Sequence, residues 1–181
     1  MTRDMKLTYY PDPVLRRRAK NITEFTPELS ARVEKMFALM EEEGGIGLAA
    51  PQAGWSARVF VTRIPAGQVE GPPRAYVNPV IVTAEGSEEG EEGCLSFPDI
   101  RAGIVRHTRV VLRAQDRDGR AFEEEATGLG ARCWEHEVDH LDGILFITRF
   151  KAGDLLQAKA KLLELEEKYA ARSRTWRKAR R

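Results

Sequence analysis

One short pattern, His136-Glu137-Val138-Asp139-His140, constrains this chain more than anything else in it. On a helix, at about 100° per residue, imidazoles at i and i+4 lie about 40° apart and can share one metal ion. The glutamate between them flanks that face, positioned to work on a water at the metal. Thr127 to Leu141 reads as the helix that carries the pattern, and Gly143 marks its end. The chain holds only three histidines; the third, His107, falls in a predicted strand and reads as a partly exposed bystander.

A third ligand has to come from elsewhere. Cys94 stands in the tight context Glu92-Gly93-Cys94-Leu95-Ser96, where Gly93 leaves room for another group, and its thiolate is a candidate. Cys133 complicates the count, because it precedes His140 by seven residues and lies only about 20° from it around the helix. With both cysteines, the set Cys94, Cys133, His136 and His140 would be a closed Cys2His2 structural zinc site. With Cys94 alone the fourth position stays open, and Cys133 is a pocket-lining thiol. A zinc metallopeptidase shares the helical pattern but draws its third ligand from downstream. No histidine or cysteine follows His140, only carboxylates such as Glu164 and Glu166. A non-catalytic module that recognises peptide N-termini or RNA is the alternative from another class.

The rest of the chain supplies one core. Its 181 residues suit one domain, and 42% hydrophobic with 31% charged residues argue against both disorder and a membrane protein. A net charge of +1 provides no global field toward nucleic acid or membrane. Two cysteines, no signal-like start and no run near the ~18 apolar residues of a membrane span make the cytoplasm the expected compartment. Asp12-Pro13-Val14-Leu15 offers a short helix start, and Thr26-Pro27 a stronger one. Leu29, Val33, Met36, Phe37 and Met40 follow on one apolar face until Gly44 and Gly45 stop the helix. Gly45 to Gln52 reads as an edge strand or extended loop. Strand-like runs occupy Arg58 to Ile64, Ala75 to Thr83 and Ile104 to Ala114, the last ending in a hairpin turn at Asp116 to Gly119. Beyond the short apolar run Ile144 to Phe150, Asp154 reads as the N-cap of a final helix carrying Leu155, Leu156, Leu162, Leu163, Leu165 and Tyr169. The expected fold is α+β: a single domain with small mixed or antiparallel sheets around a central metal-motif helix, plus a C-terminal helix. Its boundaries are 1–167 for the catalytic domain and 168–181 for a basic tail.

Three segments in order then resemble the peptide deformylase family: Gly45-Ile46-Gly47-Leu48-Ala49-Ala50-Pro51-Gln52, Glu92-Gly93-Cys94-Leu95-Ser96, and His136-Glu137-Val138-Asp139-His140-Leu141-Asp142-Gly143. The likeness extends to Asp12-Pro13-Val14-Leu15 and Tyr76-Val77-Asn78-Pro79. It implies a metal-dependent hydrolase that removes the N-formyl group from the formylmethionine of new proteins. By it, Cys94, His136 and His140 are the metal ligands, Glu137 the general base and acid, and Gln52 with the backbone N–H of Leu95 the stabilisers of the oxyanion. Gly45, Ile46 and Gly47 would bind the peptide backbone as an added strand, with the methionine side chain in a pocket that includes Ile46, Leu129 and Cys133. The implied metal is one divalent ion, natively Fe2+, with Zn2+, Ni2+ or Co2+ able to substitute. Implied partners are formylmethionyl peptides and nascent chains.

One position departs from the family: Glu135 stands where a glutamine is usual, about 140° around the helix from His140, and reads as facing away from the metal. Arg101 resembles a family position near the substrate carbonyls, and an exposed arginine at a strand start accounts for it equally well. Glu92 and Arg106 are candidates to pair and position the cysteine loop, whereas the five glutamates from Glu85 to Glu92 read as a solvated loop. Lys168 to Arg181 holds seven lysines and arginines and no acid, which suits either a solvated tail or a dock on ribosomal RNA phosphates.

Overall fold

The computed structural model describes residues 5–64 and 73–179. The first four residues, and Arg180 and Arg181 of the basic tail, lie outside them. Thr26 caps the first long helix, α1 (Pro27–Glu42), accepting the Leu29 N–H with Pro27 at the first helical position. Its buried face, Leu29, Val33, Met36 and Met40, has the spacing read from the sequence, with Phe37 half-buried beside it.

These side chains cover one face of a five-stranded antiparallel sheet ordered β1 (Gly47–Ala49), β2 (Val59–Thr62), β3 (Arg74–Glu85), β6 (Arg109–Gln115), β7 (Ala121–Thr127). Strands β1 and β2 are buried throughout, because α1 packs on Leu48, Val59, Val61 and Val77 while α2 (Gly128–Asp142) packs on the opposite face. There Ala131, Trp134 and Leu141 meet Phe60, Tyr76 and Leu112, with the Trp134 and Tyr76 rings tilted at 5.3 Å. The buried Arg58 ties the end of α2 to the sheet: its Nη1 donates to Asp142 Oδ1 at 2.6 Å and to the Leu141 carbonyl, its Nη2 to the Pro79 carbonyl. A cation at a helix C-terminus also meets the negative end of the helix dipole.

The second sheet is a two-stranded hairpin, β4 (Glu88–Cys94) and β5 (Phe97–Arg106). It packs through Phe97 and Ile100 on a third cluster formed by Tyr10, Leu15, Leu145, Phe146 and the buried face of α3 (Ala152–Ala179). Among the leucines read on α3, Leu162 and Leu165 are buried, while Leu155, Leu156 and Leu163 are exposed. The helix runs without interruption across the 167–168 boundary, and no described helix is long and apolar enough to cross a membrane.

Several expectations need correction. Ile104 to Ala114 is not one strand: it divides at His107 and Thr108 between β5 and β6, which belong to different sheets. The Glu135 carboxylate takes the His107 N–H, and Thr108 N–H goes to the Glu85 carbonyl, so neither continues a ladder. Glu85 to Glu92 is not a loop but the end of β3, a turn at Gly86 with φ 70°, and β4, in which Glu88, Glu89 and Glu91 are exposed and Glu92 is buried. Strand β7, whose acidic run shows no strand pattern beyond the hairpin turn before it, is held by register with β6 and by ion pairs, Arg113 with Glu123 directly opposite and Arg109 with Glu125 on the diagonal. Asp154 lies in the first turn of α3 rather than at its cap. The stretch from Gly45 to Gln52 contains edge strand β1 as read, and then closes into a 3-10 turn over Ala50–Ala53.

Gly143 ends α2 at φ 75°, and a Cβ there would stand 2.8 Å from the Arg16 carbonyl carbon. Gly143→Ala combines left-handed strain with a backbone clash, so we expect about 2 kcal/mol of destabilisation and a melting temperature roughly 4–8 °C lower. Thermal unfolding followed by circular dichroism measures it; an unchanged melting temperature would show that the turn relaxes freely.

Candidate metal centre

Helix α2 presents His136 and His140 on one side, and the hairpin ends in a tight turn that delivers Cys94 opposite them. A register shift between Gly93 and Cys94 pairs Cys94 with Phe97 across this turn. The ligand atoms of Cys94, His136 and His140 all lie within 4.8 Å of one another and all three residues are buried, with Cys94 Sγ 3.2 Å from His140 Nε2. One thiolate and two imidazoles form a donor set suited to zinc or ferrous iron, with a coordination position left over. Glu137 Oε2 is buried without a hydrogen-bond partner among the described residues, leaving a carboxylate oxygen ready to accept from a molecule in the site.

The orientation of His136 follows from a buried ionic network. Its Nδ1 donates to Glu92 Oε2 at 3.0 Å, which fixes the ring so that Nε2 is the nitrogen at which a metal would take the place of a proton. Glu92 is itself held by Arg106 through two contacts, Nε to Oε1 at 2.9 Å and Nη2 to Oε2 at 3.1 Å, and by Arg132 Nη1 at 2.8 Å. Burial pushes the Glu92 carboxyl up, but the hydrogen bonds from His136 and Arg106 and their charges outweigh it and hold it at about 2. Arg106 also donates through Nη1 to Asp139 Oδ2 at 2.6 Å, and Arg149 closes on the same carboxylate from the solvent side. Burial and the positive charges of His136 and Arg106 push His140 below its ordinary range, toward the neutral imidazole a metal requires.

The remaining sequence-derived residues fall around one cleft of about 650 Å³, lined among others by Gly45, Ile46, Gly47, Gln52, Leu95, Arg101, Leu129 and Cys133. The Gln52 carboxamide is oriented by the Ala49 N–H, which donates to Oε1 at 2.8 Å and so turns Nε2 toward Cys94 Sγ, 3.6 Å away. Gly47 lies where a Cβ would meet Glu137 Oε1 at 2.5 Å and Cys133 Sγ at 2.7 Å, so only glycine lets the strand and the carboxylate come this close. Burial lifts Glu137 to about 7, the Glu92 charge adding and the His136 and Arg106 charges opposing.

Cys133 lies outside the converging ligand group, with its sulfur 4.0 Å from the Ile46 carbonyl. Burial, then the charges of Glu137 and Glu92, raise its thiol well above the ordinary range, as for a pocket-lining thiol. Glu135 points away from the ligands and accepts from both the backbone N–H and Nδ1 of His107, each at 2.8 Å. Arg101 reaches Glu91 at 2.7 Å on the cleft rim. Sequence reasoning missed Asp139, Arg132 and Arg149. The first two were within reach, since Arg132 and Asp139 are four residues before and three after His136 on its own helix face.

Three comparisons bear on this arrangement. The model of the polypeptide deformylase family matches residues 4–155. A peptide deformylase from Acidobacterium capsulatum is 48% identical over 143 residues, covering 79% of this chain and 84% of the relative. One from Thermotoga neapolitana is 42% identical over 161 residues, covering 88% and 95%. Among solved structures, a plant peptide deformylase superposes with a TM-score of 0.88 at 37% identity, covering 95% of this chain and 94% of that one. A Plasmodium falciparum peptide deformylase superposes with a TM-score of 0.86 at 38% identity, covering 92% and 98%.

Arg106→Met tests the ionic network, since it strips two buried carboxylates of a shared cation. We expect a loss of about 3–5 kcal/mol in urea unfolding and zinc affinity about 10- to 100-fold weaker by chelator competition. A variant within about 1 kcal/mol of the parent would mean that Arg132 and Arg149 suffice to neutralise the pair.

Proposed function

The chain belongs to the peptide deformylase family, and from that premise we propose how its residues hydrolyse the N-formyl group of formylmethionine on newly synthesised proteins, releasing formate. The observation that carries the reading is the convergence of Cys94, His136 and His140 beside Glu137 in a cleft bordered by the outermost strand of the sheet. Cys94, His136 and His140 would hold one divalent metal, Fe2+ natively, with Zn2+, Ni2+ or Co2+ able to occupy the same donors. When bound, such an ion supplies the Lewis acidity that makes water a nucleophile at neutral pH.

The chain's own groups take the remaining roles. Among the described residues strand β1 pairs with β2 on one side only, so a substrate backbone can add to it along Gly45, Ile46 and Gly47. Its first side chain, methionine, then enters the pocket of Ile46, Leu129 and Cys133, while Arg101 at the rim holds peptide carbonyls farther along. The formyl oxygen faces the Nε2 donor of Gln52 and the Leu95 N–H, which meet the charge developing on it. Glu137 takes a proton from the attacking water and returns it to the departing amine nitrogen. Burial, which raises its pKa to about 7, suits it to both transfers.

We place the activity in the cytoplasm, where nascent chains emerge. Residues 1–167 form the catalytic domain in this reading. The basic segment from Lys168 onward docks on ribosomal RNA through phosphate contacts. Truncation after Glu167 is expected to weaken ribosome binding most at low salt; affinity unchanged across salt concentrations would remove the docking role.

The chemical reading is tested by formate release from formyl-Met-Ala-Ser under anaerobic conditions, with ferrous iron and with zinc. We expect faster turnover with iron. Glu137→Gln should lower kcat about 10²- to 10⁴-fold while metal content stays at the parent level. A Glu137→Gln variant with parental kcat would contradict its assignment as the proton carrier.

A further inference from the structure

The ligands of this site ride on two separate elements, the hairpin with Cys94 and helix α2 with His136 and His140, and one side chain outside the assigned set fastens them together. Arg132 lies one helical turn before His136. Its Nη1 donates to Glu92 Oε1 and to the Ile104 carbonyl, both at 2.8 Å, with the Gly90 carbonyl at 3.3 Å, and its Nη2 donates to the Glu88 carbonyl at 2.9 Å. These partners span both strands, since Gly90 is paired with Ile104 across the hairpin. The guanidinium lies flat over Gly90: a Cβ there would be 2.8 Å from Nη2 and 2.9 Å from Cζ. Only a planar fork can reach both strands in this way; a lysine ammonium is a single point. The side chain is 13% exposed, so these bonds are largely shielded from water.

The same side chain lines the cleft together with Leu129 and Cys133. It therefore stands at once in the wall of the methionine pocket and in the joint between the two ligand-bearing elements.

We propose that Arg132 is a positioning residue that clasps the β4–β5 hairpin to α2, setting the distance from Cys94 to the histidine pair and fixing one wall of the pocket for the first side chain. The pocket half of this statement rests on the substrate reading above; the clasp half rests on the hydrogen bonds alone. Arg106 does not duplicate it, because Arg106 belongs to the hairpin and grips α2 only at Asp139, whereas Arg132 reaches from α2 over both strands.

Two variants separate the clasp from general stability. Arg132→Met keeps the length of the stem and removes every donor, and Gly90→Ala leaves Arg132 intact while lifting it off its seat. In chelator competition starting from the metal-loaded protein, both should bind Co2+ about tenfold more weakly, with a diminished thiolate-to-cobalt absorption band. Arg132→Lys, which has the charge without the fork, should fail to restore either. With formyl-Met-Ala-Ser, Arg132→Ala should raise KM several-fold more than kcat falls. Its preference for formyl-Met over formyl-Ala peptides should narrow. If Arg132→Met does not fold, Gly90→Ala carries the same comparison. Parental cobalt affinity and absorption in the folded variants, even with a lowered melting temperature, would overturn the clasp. Parental peptide preference in Arg132→Ala would overturn the wall. A wild-type protein that binds cobalt but releases no formate would count against the substrate reading and leave the clasp standing.

Discussion

Everything at the metal centre depends on a carboxylate that is almost entirely out of water. Glu92 is buried, yet remains ionised because it accepts from His136, Arg106 and Arg132 together. Withdrawing such a charge from water costs several kcal/mol, and only a nearly complete set of hydrogen bonds offsets it. The arrangement is therefore close to all-or-none. Each partner supports the others, and the imidazole that would bind metal is one of them. Ligand geometry here is a by-product of charge neutralisation inside the fold.

This dependence explains the division of labour among the three hydrophobic clusters. Two of them clamp the five-stranded sheet between α1 and α2, and so fix the position of the histidine-bearing helix from its sheet side. The third anchors the hairpin and contains Cys94 itself. Between these apolar bodies the contacts that cross from α2 to the hairpin include the ionic ones at Glu92 and Asp139. Apolar packing sets where each part sits, whereas directional hydrogen bonds set how the parts meet, which is what a site with a narrow tolerance for distance requires.

Much of this was legible in the residues. The i and i+4 histidines define their own helix face, and the apolar spacing of α1 together with its Thr26-Pro27 start leaves little choice of structure. Cys94 rested on its tight Gly93-Cys94 context together with the resemblance, and Gln52 on the resemblance alone, since helix geometry could reach neither. The failures share a cause: they occur where pairing across the fold overrides local composition. The glutamates of β4 look like a solvated loop, and the acidic run of β7 shows no strand pattern of its own, until arginines and register on neighbouring strands are known. The break at His107 depends on a carboxylate 28 residues away. Glu92 stands in the same acidic run, yet its pairing with Arg106 was a candidate from the sequence and is present, whereas its contacts with Arg132 and His136 on α2 follow no local pattern.

The contact between Gly47 and Glu137 has a consequence for how a substrate is measured. Because a methyl group at Gly47 would stand 2.5 Å from Glu137 Oε1 and 2.7 Å from Cys133 Sγ, these two side chains of α2 rest directly on the bare backbone of the strand. A peptide that joins this edge by main-chain hydrogen bonds is held at the strand spacing of about 4.8 Å, whatever its side chains. Its terminal group then reaches the same depth for every sequence. The glycine works as a gauge block between two elements.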